Sequence, residues 1–348
     1  MRKERILCVS TLLILTACTQ GTGRAVVLPS PSAPISTTGP TPSAPAAPSS
    51  SAQPSASPSQ LLVDSNLTCR LPVNTETGND VVRGWITFPA ATFSQDLTVL
   101  RNPSGNNMPS YDWAIRAWVP VEQNYLAPDG TKFVVQHITP VAHEIYLVDT
   151  KTGKQQLLTT AGPGPGRHWT GYFHYATEGI YAWAYRDGSD VPVTIPGLWL
   201  LDPKTARIRL IDGGHFWDSI GGGYAWAAED PATVGGTLFK VYRLDLATGQ
   251  SALWYQSKTS IGVFAPTPEG DLLIGYEDGR LALLNSSRSL TPVASPPDFS
   301  GAGYSLVAQP GVWIGTDNGI ALYMKGVGMR VMATSPGGGT LFPSGACR

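Results

Sequence analysis

Across residues 61–348, apolar residues come in short runs that alternate with polar ones, and Gly, Pro, Asp and Asn stand between the runs. No stretch sustains a helical period, so the pattern predicts short β-strands joined by turns. Three segments repeat one design: Ile145–Gly153, Leu198–Thr205 and Val241–Gly249 are each an apolar strand ending in Asp, followed by a turn.

The repeats keep a fixed spacing. Tyr181-Ala182-Trp183-Ala184 recurs as Tyr224-Ala225-Trp226-Ala227, 43 residues on. Ile274-Gly275-Tyr276-Glu277-Asp278-Gly279 is echoed 40 residues later by Ile314-Gly315-Thr316-Asp317-Asn318-Gly319. Asp-Gly and Asn-Gly between apolar runs tolerate positive φ and suit tight hairpin turns. A unit of about 40 residues built from three or four short strands reads as a propeller blade. The expectation is an all-β fold, a β-propeller with six blades preferred and seven possible. Blades fall near 121–160, 168–214, 215–258, 259–297 and 298–336, with an irregular first blade from about Trp85 to Trp118. Residues 69–83 and 337–348 are left as unassigned strands.

Family resemblances point the same way. Gly311-Val312-Trp313-Ile314-Gly315-Thr316-Asp317-Asn318-Gly319 resembles the repeat of two-component-regulator propellers. Tyr125-Leu126-Ala127-Pro128-Asp129-Gly130-Thr131-Lys132 resembles a blade turn of translocation-protein and dipeptidyl-peptidase propellers, and the Asp-x-x-Thr-Gly turns are similar to those of the wider quinoprotein, YVTN and WD40-like group. The Gly-His and Trp-Asp pair of true WD40 blades is missing. These motifs imply blades and specify no activity.

The N-terminus has a different character. Arg2, Lys3 and Arg5 precede an apolar run from Ile6 to Leu15, too short to span a bilayer as a helix. Leu15-Thr16-Ala17-Cys18 resembles the lipobox of bacterial lipoproteins, which implies cleavage before Cys18 and lipid on its thiol; an ordinary secretory signal is the alternative, and either one implies export. Residues 1–17 are read as the signal peptide. Residues 18–60, rich in Ser, Pro and Ala, are read as a disordered linker that cannot offset its ordering entropy and extends toward polyproline II. Residues 61–348 form the propeller domain. The expected location is the outer side of the cytoplasmic membrane, with the membrane a partner through the lipid.

Of the four cysteines, Cys8 leaves with the signal and Cys18 carries lipid, so Cys69 and Cys347 remain, one at each end of the folded region. Outside the cytoplasm a disulfide between them persists. A propeller joins its first and last blades by pairing strands from both termini, and this bridge would lock that closure beside Leu341-Phe342-Pro343. Two unrelated thiols are the alternative.

Charge adds an exclusion. The chain has 24 Lys plus Arg against 25 Asp plus Glu. Removing residues 1–17 takes three basic residues and one acidic, for a net charge of −3. With no basic run or stripe, nucleic acid is excluded as a partner.

Candidate chemistry is sparse. There is no Gly-x-Ser-x-Gly elbow, His-Glu-x-x-His pair, P-loop, Cys-x-x-Cys or aspartate box. Gly162-Pro163-Gly164-Pro165-Gly166 lacks the lysine and hydroxyl of a phosphate cradle and reads as a connector between blades. His137, His143, His168, His174 and His215 all fall in one third of the domain. His168 and His174 lie six apart on one strand, a spacing that places both on one side, yet no metal-ligand motif surrounds them, so no metal or cofactor is expected. The turn carboxylates, among them Asp187, Asp190, Glu229, Asp230, Glu277, Asp278 and Asp317, read as groups that bond their own backbone. Trp183 and Trp226, at blade spacing, read as core between blades. Trp169, Tyr172 and Trp217 follow inter-blade connections and are the surface binding candidates, with His168 and His174.

The expected function is a non-catalytic binding or scaffolding module for an envelope protein, peptide or glycan. The alternative is an extracytoplasmic propeller enzyme, a hydrolase or one resembling streptogramin lyase. A deep central pocket with convergent histidines and carboxylates would favour the enzyme, and a plugged channel the binding module.

Overall fold

The computed structural model describes residues 67–348 except 78–79, 99, 101–107, 140–141, 188–192, 232–235, 277, 295, 297–300 and 336–338. The signal peptide, Cys18, the linker and the carboxylates Asp190 and Glu277 lie outside the described residues. No helix among the described residues is long and apolar enough to cross a membrane.

Six antiparallel sheets form a ring, so the chain folds as a six-bladed β-propeller. Blade 1 contains β1 (Arg70–Thr77), β2 (Asp80–Thr87) and β3 (Thr92–Gln95). A short hairpin follows, β4 (Ser110–Asp112) and β5 (Ala117–Val119). Blade 2 contains β6 (Lys132–Ile138), β7 (His143–Asp149) and β8 (Gln155–Thr159), with Leu126 bridged to Phe133 on its inner side. Blade 3 contains β9 (Arg167–Ala176), β10 (Gly179–Arg186), the two-residue β11 (Val193–Thr194), β12 (Leu198–Leu201) and β13 (Ile208–Asp212).

Blade 4 runs from β14 (Ser219–Gly221) through β15 (Tyr224–Glu229) and β16 (Phe239–Asp245) to β17 (Gln250–Ser257). Blade 5 has β18 (Ile261–Pro266), β19 (Leu272–Tyr276), β20 (Leu281–Ser286) and β21 (Ser289–Val293). Blade 6 has β22 (Gly301–Ala308), β23 (Gly311–Thr316), β24 (Gly319–Met324) and β25 (Gly328–Thr334).

The ring closes through β26 (Leu341–Pro343), which pairs with β1 in the register Val73↔Pro343, Asn74↔Phe342 and Thr75↔Leu341. Cys69 and Cys347 form the disulfide beside this closure, 278 residues apart in sequence. Backbone bonds between Arg70 and Arg348 in both directions continue the pairing past β26.

The first blade differs from its expected extent. The strands left unassigned at both ends belong to one sheet, and the segment before Trp118, placed in blade 1, is the separate β4–β5 hairpin. The reason is in the pattern: Leu71 and Val73, like Ile86 of β2, are fully buried against the apolar face of blade 6, which needs a full sheet beside it.

Five of the six seams between blades are filled by apolar clusters. Phe133, Val148, Trp169 and Ile180 join blades 2 and 3; Tyr181, Trp217 and Ala225 join 3 and 4; Trp226, Ile261 and Leu272 join 4 and 5. Leu273, Val312 and Ile314 join 5 and 6, and Trp313, Leu322 and Leu71 join 6 and 1. Burial of such faces drives the stacking of repeated units. The seam between blades 1 and 2 is built differently, because the hairpin is wedged there. Its Val119 packs with blade 2, Trp118 meets Trp85 of blade 1, and the carboxylate of Asp112 lies against Gly130, where a Cβ would come within 2.3 Å of it. Gly130 also has φ +69°, so the turn requires glycine twice over.

Candidate functional site

A cleft of about 570 Å³ opens in this irregular seam. Its floor is aromatic. Trp85 meets Tyr111 edge-on at 4.5 Å between ring centres and Trp118 at 5.8 Å, and Tyr111 meets Trp113 at 5.0 Å. Edge-to-face rings at these distances fix one another's orientation.

Asp96, just after β3, ties the floor together. Its Oδ2 accepts the indole N–H of both Trp85 and Trp118, each at 2.8 Å, and its Oδ1 accepts the Thr98 backbone N–H at 2.9 Å. Burial pushes this carboxyl up, but bonds from the Thr98 backbone, Trp118, the Thr98 hydroxyl and Trp85 outweigh it and hold the group down at about 2. The carboxylate is therefore ionised, and its acceptor capacity is committed to the floor.

Two exposed arginines stand at the rim. The Arg70 guanidinium lies 4.4 Å over the Trp85 ring. Arg116 ends the hairpin turn with φ +52°, a left-handed conformation that costs a non-glycine residue roughly 1 kcal/mol. Both lie close enough to Tyr111 to favour its ionised form, although burial and Asp96 raise its hydroxyl overall. Among the described residues neither Arg70 nor Arg116 forms an ion pair with a carboxylate. Arg83 is occupied, donating to the Thr98 carbonyl at 2.7 Å. Ser94, Gln95, Thr98 and Ala117 complete the lining.

The sequence-predicted candidates lie elsewhere. Trp169 and Trp217 are 0% and 2% exposed, so the expectation of exposure fails for both. Trp169 fills the seam between blades 2 and 3 and donates its indole N–H to the Ala161 carbonyl; Trp217 fills the next seam and donates to Asp212. Following a connection does not expose a residue when the connection leads straight into an inner strand. Tyr172 is 66% exposed, as expected.

His168 and His174 sit near opposite ends of β9 and do not converge. His168 bonds Asp187 at 3.1 Å and lies against His143 and Tyr185, with ring centres 4.6 and 5.4 Å away. Tyr185 and Gln136 both reach the His143 imidazole, and burial followed by the neighbouring His168 pushes its pKa down. Gln136 also fits against Gly171, where φ is +86° and a Cβ would meet its side-chain oxygen at 2.6 Å. His174 is half-buried beside Tyr181, and burial pushes its pKa down to about 4. His215 stacks on Tyr242 at 3.8 Å and bonds Glu229 at 2.9 Å. The described residues hold no group of three or more histidine, cysteine or acidic side chains arranged to hold a metal ion.

Of the turn carboxylates named from the sequence, Asp278 accepts a nearby backbone N–H, that of Arg280 at 3.1 Å. Asp187 instead pairs with His168 and Glu229, at the end of β15, with His215, because a histidine of the neighbouring strand or connection lies within reach of each. The expected backbone bonding is made by other aspartates, at the Asp-x-x-Thr turns. Asp149, Asp202 and Asp245 each accept two backbone N–H groups from the residues just after them, and their carboxyls are held below the usual range by these bonds and the neighbouring threonines. Near the ring's centre, Glu122 and Tyr304 line a cavity of about 30 Å³ with Asn74, Phe342 and Ser344. The Tyr304 hydroxyl bonds the Glu122 carboxyl, which burial pushes up despite that bond.

No protein-family model matches the chain, and no curated protein matches it in sequence. Solved structures do. TolB from Acinetobacter baumannii aligns at TM-score 0.41 and 14% identity over 80% of this chain and 66% of its own. An oligogalacturonate lyase in complex with manganese aligns at TM-score 0.44 and 13% identity, over 77% of this chain and 75% of its own. The β-propeller domain of the Trilobed protease from Pyrococcus furiosus aligns at TM-score 0.43 and 12% identity, over 76% of this chain and 81% of its own. The chain thus spans just under two thirds of TolB and most of the other two.

Proposed function

We propose that this protein is a non-catalytic binding module, lipid-anchored through Cys18 on the outer side of the cytoplasmic membrane and recognising an envelope protein, peptide or glycan. The observation that carries it is the seam cleft, where two exposed guanidinium groups, without carboxylate partners among the described residues, stand over a rigid aromatic floor. Arginine and tyrosine on a pre-organised base are what a recognition site needs, since little freedom is lost when a partner docks. The carboxylate lining it, Asp96, is held as an anion by the Thr98 backbone N–H and two indoles, so it has no proton to trade at neutral pH.

The central cavity supports the same side of the choice. Glu122 and Tyr304 face each other where a propeller enzyme would act, but the space beside them, about 30 Å³, is room for about two water molecules rather than a substrate.

The test is retention of envelope components by the full-length protein in detergent, compared with an Arg70→Ala/Arg116→Ala variant. A component retained by the native protein and lost by the variant is the expected result. Equal retention by both, or none by either, overturns the assignment. Anchoring is tested separately by metabolic labelling with a clickable fatty acid, which is expected to mark the native chain and not Cys18→Ser.

A further inference from the structure

Resting on the reading of the seam cleft as the recognition site, we propose that its ligand is an acidic saccharide, a short run of sugar rings bearing carboxylate groups. Three properties of the lining lead there.

The first is charge. The chain as a whole is slightly acidic, with a formal net charge of −1, yet Arg70, Arg83 and Arg116 outnumber Asp96 around this cleft. Arg83 and Asp96 are engaged with the cleft's own framework, which leaves Arg70 and Arg116 to meet a ligand. A guanidinium offers a planar fork of donors that matches a carboxylate with two parallel bonds.

The second is the neutral polar lining. Ser94, Gln95 and Tyr111 present short hydroxyl and amide groups. Ring hydroxyls pair with such groups, each acting as both donor and acceptor. A peptide would ask instead for apolar recesses for its side chains, and the apolar surface here is a floor of ring edges.

The third is shape and size. The half-buried ring of Tyr111, held edge-on by the buried Trp85, provides an apolar base against which the C–H face of a sugar can lie, and about 570 Å³ is within the usual range for small-ligand sites. The strained backbone at Arg116 holds one of the two guanidinium-bearing residues at the rim.

Titration calorimetry of the full-length protein in detergent tests the proposal with three probes: trigalacturonate, maltotriose and triglycine with a free carboxylate. Trigalacturonate is expected to bind, maltotriose and triglycine at least about tenfold more weakly, and trigalacturonate affinity to fall about tenfold or more in Arg70→Gln and in Arg116→Gln, a loss equal to one broken charge-assisted contact. Arg116 is exposed on a turn, so its replacement leaves the fold intact, and an unchanged thermal midpoint confirms this. Equal affinity for maltotriose, undiminished binding in both variants, or preference for triglycine would overturn the saccharide assignment. If trigalacturonate fails to bind while the retention experiment still depends on Arg70 and Arg116, the ligand class is wrong and the binding-module reading stands. If both fail, that reading falls with it.

Discussion

Asp96 and His174 show how single side chains set the acid response of this fold. Asp96 has a folded pKa of about 2, below its unfolded value, so its contribution is present above roughly pH 4 and lost as pH falls toward 2. Replacing it by Asn removes the charge that two indoles and a backbone N–H address. The expected cost is about 1–2 kcal/mol at pH 7, read as a lower urea midpoint. His174 acts in a higher window. Its folded pKa of about 4 also lies below the unfolded value, but for a histidine this means the unfolded chain takes up the proton first. Stability is therefore expected to fall by up to roughly 3 kcal/mol between pH 6.5 and 4, a net figure in which burial outweighs the opposing pull of Glu178. Urea unfolding at pH 7 and pH 4.5 checks this, and His174→Gln should flatten the difference.

At the scale of the strand, the Tyr-Ala-Trp-Ala repeat has a packing logic. In β10, Ala182 and Ala184 are fully buried against blade 2's cluster, while Tyr181 packs toward blade 4. In β15, Ala225 and Ala227 receive that aromatic face, and Trp226 packs onward against blade 5. Each blade thus offers a small-residue face to one neighbour and a large aromatic face to the other. Enlarging the small face is the direct check: Ala225→Leu should destabilise by about 1–3 kcal/mol through overpacking, seen as a lower thermal midpoint. The same periodicity explains what was legible in the sequence. Strand alternation and the 43-residue spacing locate Trp226 in the core because a repeated apolar position faces a repeated neighbour. Trp169 and Trp217 were misplaced because each stands once, at the entry to blade 3 or blade 4, and alternation does not say which end of a strand is covered by the adjoining blade.

For the whole molecule, the informative feature is the break in regularity. Five seams are apolar and one holds a hairpin, aromatic rings and two exposed arginines without carboxylate partners among the described residues. Its residues were illegible as a site because Arg70, Trp85 and Asp96 meet only through the strand register of blade 1, and Arg116 only through the hairpin wedged beside it, neither of which follows the repeat. The one available signal was Trp85, Trp113 and Trp118 crowding into the region where the repeat fails. Closure itself was readable from Cys69 and Cys347. Thiol labelling of the unfolded, unreduced protein should tag neither of the two, and their reduction should lower stability by about 5 kcal/mol through chain entropy alone. The position of β26 also dictates an order of assembly. Blade 1 has three strands near one end of the domain and its fourth beyond all five other blades, so it is the first to be synthesised and the last to be completed. Until residues 341–347 are released, β1 presents an unpaired edge and Cys69 an unpaired thiol. That edge and that thiol are therefore the part of the fold exposed longest during synthesis, where mispairing with another chain has most time to occur.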